Sequence, residues 1–407
     1  MNITTLQSCD VTNKRVLVRA DLNVPLNNGA ICDDFRLKAF LPTLQQLVKK
    51  QPDSIIIATH IGKPDPACPD QALSTKILIP WFVQHGITIT HCTLEDIATP
   101  KQPKTVILLE NLRFYPGEKS HDLAFAKQLA SCADVYVNEA FATMHRNDTS
   151  ITLTAQQFSP AHRCIGPLVE KEIHELDLLR NTPEPPLGIV LGGAKLDDKI
   201  PLLAHFIQHP DPARRAHIVA VGGLPALAFL KAQGHCIGAT QISPTTLENA
   251  RNILKLADAN GTYICLPLDF CTIFDGQPLG CETYATMLER LTYQHLCVDI
   301  GRHTRTWFRD RLRACNTIFM NGTMGIFEYP AYQEGTKSVF NSILDDYDRE
   351  KNPRTIIIGG GDTVAAATAC GLQNEFSFVS TGGGATLAYL GSSAPENDLP
   401  GLKALLK

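Results

Sequence analysis

In the stretch TIIIGGGDTVAAATA, residues 355 to 369, three glycines end an apolar run and are followed by an acid and a hydroxyl, Asp362 and Thr363. Glycines let the backbone approach a ligand closely. A helix beginning there offers about four unpaired N–H groups and roughly half a positive charge to a phosphate. Gly359, Gly360 and Gly361 are read as the turn. Two roles are open to the residues after it: Asp362 or Thr363 caps the helix, or Asp362 holds Mg2+ against bound phosphates. A second glycine turn, GGAKLDDK, adds cations, with Lys195 in the turn and Lys199 read as one helical turn later on the same face. Those ammonium groups form either a solvated face or a pair over a phosphate chain. Neither the GxGxxG fingerprint nor the Walker pattern is present.

The N-terminal half carries a different chemistry. Arg19, Arg36, His60, Lys63, Arg113, His145 and Arg146 all fall just beyond runs that read as strands. One such residue is ordinarily a surface group or an ion-pair partner. Seven at strand ends describe a basic rim for a small, multiply anionic molecule, its phosphate or carboxylate oxygens matched by guanidinium forks. His60 and His145 lack the HExxH context or the cysteine partners of a zinc site.

Strands must place these residues, and apolar runs recur along the whole length: RVLVRADLNV, SIIIATHIG, TVILLENL, DVYVNEAF, LGIVLGGA, HIVAVGG, TYICLPLDF, TIFMNG, TIIIGGG and FSFVSTGGG. Most are apolar at consecutive positions, the mark of strands buried on both faces in parallel sheets. The fold class expected is α/β, two doubly wound domains each with a central, mostly parallel sheet, joined by a helix hinge. The segment GPLVEKEIHELDLLRNTPEP reads as that helix, with a proline-rich stop. The boundaries expected are 1–165, a hinge at 166–185, a second domain at 186–388, and a tail at 389–407.

Bulk composition excludes several classes. With 37 Lys+Arg against 41 Asp+Glu, the net charge of -4 gives no overall field for nucleic acid or an anionic membrane, so phosphate binding has to be local. Only 7% of residues are aromatic, too few for a base-stacking surface. The thirteen cysteines are scattered without a CxxC pair, no secretory leader is evident, and no apolar run approaches the ~20 residues of a membrane span. A soluble, reduced, cytoplasmic protein is expected.

Eleven blocks, in order, give the chain a close resemblance to phosphoglycerate kinase over essentially its full length: RVLVRADLNVPL, DDFRLKAFLPT, THIGKP, LLENLRFYPGE, ADVYVNEAFATMHR, LGGAKLDDKI, FLKAQGHCIG, MNGTMGIFE, IGGGDTVAAA, VSTGGGA and LPGLKAL. The resemblance implies a bilobed hinge enzyme, usually monomeric, that moves a phosphoryl group between 1,3-bisphosphoglycerate and Mg-ADP. It implies that Asp21, Asn23, Arg36, His60, Lys63, Arg113 and Arg146 hold the three-carbon acid. The nucleotide would fall to Gly193, Ala194, Lys199, Cys297, Asn321, Glu328, Gly360, Gly361, Asp362 and Thr363, with Glu328 on the ribose hydroxyls and Asp362 on Mg2+. Arg36 and Lys195, with the turns at Gly361 and Gly384, would stabilise the transferring group. The chain end, LPGLKAL, would fold back onto the N-terminal domain.

Several positions depart from the pattern of that family. Lys63 stands where Arg is usual and loses the bidentate fork; Glu139 stands where Asp is usual. Leu224 and Cys297 replace glycines expected around the adenine, and Thr323 and Arg302 replace prolines. An active kinase is the expected function. A paralogue with altered nucleotide preference, and a non-catalytic binding protein on the same fold, are the alternatives.

Overall fold

The consecutive apolar runs form strands covered on both faces, as burial of every residue in Leu187–Leu191 and Thr317–Asn321 illustrates. The computed structural model describes residues 2–98, 105–345 and 354–407. Two units are present: Met1–His174 together with Ala394–Lys407, and Glu175–Ser393.

The first unit contains β1 (Arg15–Ala20), β2 (Leu26–Asn27), β3 (Ala30–Ile31), β4 (Ser54–Ala58), β5 (Ile89–Cys92), β6 (Thr105–Leu109), β7 (Val135–Glu139) and β8 (Arg163–Ile165). Apart from the small β2–β3 ribbon these form one sheet, ordered β5-β6-β4-β1-β7-β8, with every pairing parallel. The second unit contains β9 (Leu187–Leu191), β10 (Ala216–Val221), β11 (Tyr263–Cys265), β12 (Asp269–Phe274), β13 (Tyr284–Met287), β14 (His295–Ile300), β15 (Thr317–Asn321), β16 (Thr355–Gly359) and β17 (Phe378–Ser380). Six of them form a second parallel sheet, ordered β11-β10-β9-β15-β16-β17. Each sheet grows in both directions from its first strand, the doubly wound arrangement that opens a crevice at the carboxyl ends.

One run was not what its composition suggests. TYICLPLDF reads as a single strand, but it is split between β11 and β12, which lie in different sheets. Pro267 falls in the gap, where it supplies no N–H to a ladder. Strand β12 instead pairs antiparallel with β13 and β14. The Asp269 carboxylate then accepts hydrogen bonds from His303 N and Thr304 N, capping the helix Arg302–Leu312.

In the second unit the strand ends stand in one row: Leu191 is in register with Val221 and Asn321, Asn321 with Gly359, and Gly359 with Ser380. Three of the turns that follow interlock through the backbone. Gly192 N donates to Asn321 O at 2.9 Å, Gly193 N to Thr323 O at 2.7 Å, Gly222 N to Leu191 O at 2.7 Å, and Leu224 N to Gly193 O at 3.0 Å. Only glycine fits between such close strands. A Cβ on Gly322, whose φ is 93°, would lie 2.4 Å from the carbonyl of Gly192.

The last residues return to the first unit. Ile3 bridges Leu406, and Gly401 N donates to Met144 O at 2.9 Å, next to the loop that carries His145 and Arg146. The helix Pro167–Asn181 buries Val169, Leu176 and Leu179, and the division between the units falls within it. Among the described residues no helix is long and apolar enough to cross a membrane.

Gly322→Ala adds both a left-handed conformation and a backbone overlap, so it is expected to lower stability by about 3 kcal/mol or more. A urea unfolding series followed by circular dichroism measures it; an unchanged midpoint would mean the turns have room to separate.

Candidate functional site

The row of strand ends in the second unit opens onto a cavity of about 390 Å³, a size within the usual range of roughly 300 to 1,000 Å³ for small-molecule sites. Gly193, Ala194, Gly223, Thr323 and Gly325 line it from the turns, while Leu224, Leu227, Phe270, Leu296, Cys297, Val298, Met324 and Ile326 supply apolar wall. Glu328 and Asp362 are its carboxylates toward solvent. Thus Gly193, Ala194, Cys297, Glu328 and Asp362 meet at one cavity, and Leu224 lies on its wall. The antiparallel strands β12 and β14 contribute Phe270 and Leu296 through Asp299; the resemblance places Cys297 here, whereas Phe270 is hidden in the run that merges β11 with β12.

The glycine turn at 359–361 resolves one open alternative. Gly359 closes β16, Gly360 is the residue before the helix with φ at 99°, and no side chain caps Gly361–Ala369. Asp362 therefore caps nothing; its exposed carboxylate faces the cavity. Thr363 does not cap either. Its buried Oγ1 accepts from Gly322 N at 2.6 Å, and Asn321 Nδ2 donates to Gly359 O at 2.8 Å. Through Nδ2 and Oγ1 these two residues tie neighbouring strand ends together. Gly383, with φ at 54°, precedes the helix Gly384–Gly391 in the same way, leaving Gly384 exposed.

The two lysines do not share a helical face. The helix begins only at Ile200, so Lys195 stays in the exposed turn, while Lys199 sits in a short 3-10 turn, Asp197–Lys199. Lys199 is buried, and its Nζ donates to Lys195 O at 2.9 Å. Burial holds its pKa below the ordinary lysine value, partly opposed by Asp198 and Asp362. The proline at position 201 explains the register: it is favoured at the start of a helix and displaces the start past the lysines.

In the first unit the basic residues gather at the strand ends, with one exception. Arg19 lies within β1, fully buried, and donates to Ser150 Oγ at 2.8 Å and to Ala20 O at 2.6 Å, with Glu118 3.9 Å away. It braces the rim from below. Above it, Arg36 pairs with Asp21, and His60 Nδ1 lies 3.9 Å from the other Asp21 oxygen. Burial would raise the Asp21 pKa, but Arg36, His60 and Arg19 outweigh it and hold the acid below its ordinary value. Burial first, then Arg19, Arg113 and Arg146, keep His60 well below the ordinary histidine range and hence neutral.

The loop THIGKP is fixed by Asn111, which sequence reading did not single out, together with Asn23 and Arg113, which it did. Asn111 Nδ2 donates to Ile61 O and Leu73 O, while its Oδ1 accepts from Ile61 N and Arg113 N. Asn23 Oδ1 accepts from Gly62 N at 2.8 Å, and Arg113 donates to Gly62 O. Lys63, which follows, is exposed. Burial and the neighbouring Arg146 both lower the Arg113 pKa, and its Nε is buried without a partner. Arg146 touches His145 through Nε at 3.4 Å. Among the described residues neither Arg113, Arg146 nor Lys63 forms an ion pair. Arg113 and Arg146, adjacent and partly desolvated, with Asp148 and Glu118 acting on Arg113 only from a distance, suit an anion.

A cavity of this size walled by glycine turns, and a basic rim that includes the adjacent Arg113 and Arg146, on two doubly wound sheets, belong to a phosphotransferase. The family model for phosphoglycerate kinase matches residues 6–393. Phosphoglycerate kinases from Pelotomaculum thermopropionicum and Dictyoglomus turgidum are 35% and 36% identical, each alignment covering 99% of this chain and 98% of the relative. The solved phosphoglycerate kinases of Coxiella burnetii and Pyrococcus horikoshii OT3 superpose with TM-scores of 0.80 and 0.81 at 29% identity, covering 99% of this chain and 98% of theirs. The chain belongs to the phosphoglycerate kinase family.

If the unpaired arginines form an anion site, phosphate should raise the thermal midpoint of the protein, since a ligand at tenfold its Kd adds about 1.4 kcal/mol. The double variant Arg113→Gln, Arg146→Gln is expected to lose that response. Equal stabilisation of both proteins by phosphate would place the anion elsewhere.

Proposed function

We propose that the chain catalyses reversible phosphoryl transfer from 1,3-bisphosphoglycerate to Mg-ADP, giving 3-phosphoglycerate and Mg-ATP. The observation that carries this reading is the pair of adjacent arginines on the rim of the first unit, Arg113 and Arg146, neither of which forms an ion pair among the described residues, in a chain of this family. The reading places the three-carbon acid there and the nucleotide in the cavity of the second unit, in a cytoplasmic monomer.

Phosphoryl transfer asks little covalent chemistry of a protein; it asks for position and for positive charge around the three oxygens of the migrating group. Arg113, Arg146 and Lys63 hold the anionic end of the three-carbon acid, with neutral His60 and Asn23 as hydrogen-bonding partners. Asp21 orients Arg36, which lies toward the reacting end. On the nucleotide side the apolar wall from Leu224 to Cys297 accepts a flat base, and Glu328 accepts hydrogen bonds from ribose hydroxyls. The free amides at Gly360, Gly361 and Gly384 face phosphate oxygens. Lys199 gains a counter-charge when phosphates arrive, which offsets the burial that lowers its pKa. Lys195, exposed in its turn, follows the migrating group.

Mg2+ fits the residues present. Asp362 offers a hard carboxylate that caps no helix, at the mouth of the cavity. Among the described residues no cluster of three or more His, Cys, Asp or Glu forms a cage; Asp362 would hold the ion together with phosphate oxygens, the mode common for Mg2+. When bound it neutralises phosphate charge. Because the two ligands are held on separate units, transfer requires the units to approach, with helix Pro167–Asn181 as the hinge.

Steady-state turnover of 3-phosphoglycerate with Mg-ATP tests the reading, with Mg-GTP as the comparison for the Leu224 and Cys297 wall. Asp362→Ala is expected to weaken Mg-nucleotide binding and slow turnover more than Thr363→Ala does; the reverse order would return Asp362 to a structural role. Lys195→Ala should lower kcat by about a hundredfold or more with a small change in KM, the signature of a contact made in the transition state. A change confined to KM would contradict it.

A further inference from the structure

At the end of β7 stands an acid that the reaction scheme leaves unused. Glu139 is completely buried, yet three donors converge on it from two other elements. Leu168 N reaches Oε1 at 3.1 Å and Val169 N reaches Oε2 at 3.0 Å, so the carboxylate caps the helix Pro167–Asn181 from a distance. Thr43 Oγ1 donates to Oε1 from the helix Phe35–Lys49. Room for the carboxylate is made by Gly166, where a Cβ would lie 2.2 Å from Glu139 Cδ.

The Thr43 contact matters because of what the helix carries. Arg36 is its second residue, and Pro42 lies between Arg36 and Thr43. A proline inside a helix removes one backbone hydrogen bond and loosens the turn before it. Asp34, which accepts from Trp81 Nε1 at 3.0 Å, anchors the helix before Arg36, and the Thr43 tie anchors it just past Pro42. Residue 139 also leads directly into the turn Phe141–Thr143 and the loop of His145 and Arg146. One carboxylate thus joins the Arg36 helix, the Arg146 loop and the start of helix Pro167–Asn181.

We propose that Glu139 is a positioning residue of the phosphoglycerate rim, setting Arg36 through Thr43 and Arg146 through its own strand end. The inference rests on the assignment of Arg36 and Arg146 to the three-carbon acid. The ionised carboxylate accepts all three donors, whereas the protonated acid has to give up one of them or reverse Thr43. Burial opposes ionisation, Thr43, Val169 and Leu168 favour it, and Glu170 opposes it again, leaving the acid pushed up to about 7. Besides Glu170, the titratable neighbour is Cys164 on β8, which feels the same carboxylate.

Rim geometry and stability then respond to pH in opposite senses. As pH rises through about 7, all three hydrogen bonds form and KM for 3-phosphoglycerate falls. Stability follows the other sign: a folded pKa above the unfolded value contributes stability that is complete at low pH and is lost as pH rises through the folded pKa.

The test measures KM for 3-phosphoglycerate and for ATP, and the thermal midpoint, between pH 5.5 and 8.5 in roughly half-unit steps, for the parent protein, Glu139→Gln, Thr43→Val and Arg36→Ala. Glu139→Gln and Thr43→Val are expected to raise KM for 3-phosphoglycerate by about fivefold, the factor one lost hydrogen bond gives, with KM for ATP unchanged. Glu139→Gln should also flatten both pH profiles. If Arg36→Ala abolishes turnover while Thr43→Val and Glu139→Gln leave KM and its pH profile as in the parent, Glu139 is only a buried cap and the inference fails. If Arg36→Ala itself leaves turnover intact, the assignment beneath it fails instead. Should Glu139→Gln not fold, Thr43→Val decides the question alone, because it removes one hydroxyl from a buried site of nearly unchanged shape.

Discussion

Backbone pressed against backbone is the constraint on which the second unit depends. The ends of β9, β10 and β15 are joined by amide-to-carbonyl hydrogen bonds from Gly192, Gly193, Gly222 and Leu224, close against the backbone of Gly322 and the Met324 side chain. That contact fixes the row of strand ends, and the row fixes where amides remain free to meet a ligand. Asn321 and Thr363 extend the same tie to β16. The cavity is therefore a by-product of close strand packing as much as a feature of its own walls.

The first unit solves the opposite problem with the opposite material. Its rim is made of long side chains, and those are held by buried polar residues beneath: Arg19 on Ser150, Asn111 across the THIGKP loop, Asp21 beneath Arg36. A rim of guanidinium groups has to be restrained, since each carries considerable rotamer entropy. Amides in a turn need no such restraint. The two rims differ in what they expose because they differ in what has to be immobilised.

Much of this was legible in the sequence. Consecutive apolar runs announced parallel sheets, glycine turns announced one rim, and basic residues after strands announced the other. What escaped reading were features set by distant partners. Nothing near Pro267 reveals that β12 joins a separate antiparallel sheet and walls the cavity with Phe270. Lys199 looked like the second lysine of a helical face until Pro201 set the helix start beyond it. Asp362 and Thr363 could each have been a cap, and only Gly322, forty-one residues from Thr363 in the chain, shows where the Thr363 hydroxyl goes instead. Glu139, a conservative-looking departure, acquires its role from Thr43 and from the amides of Leu168 and Val169.

The return of residues 394–407 to the first unit carries a consequence for the order of synthesis. Residues 175–393 form an uninterrupted unit, whereas the first unit is assembled from stretches on either side of it. A ribosome releases the chain from its beginning, so the first unit emerges early but lacks the piece that bridges Ile3 and props Met144 until the second unit has been made. The loop leading into His145 and Arg146 is thus among the last parts of the molecule to receive its support.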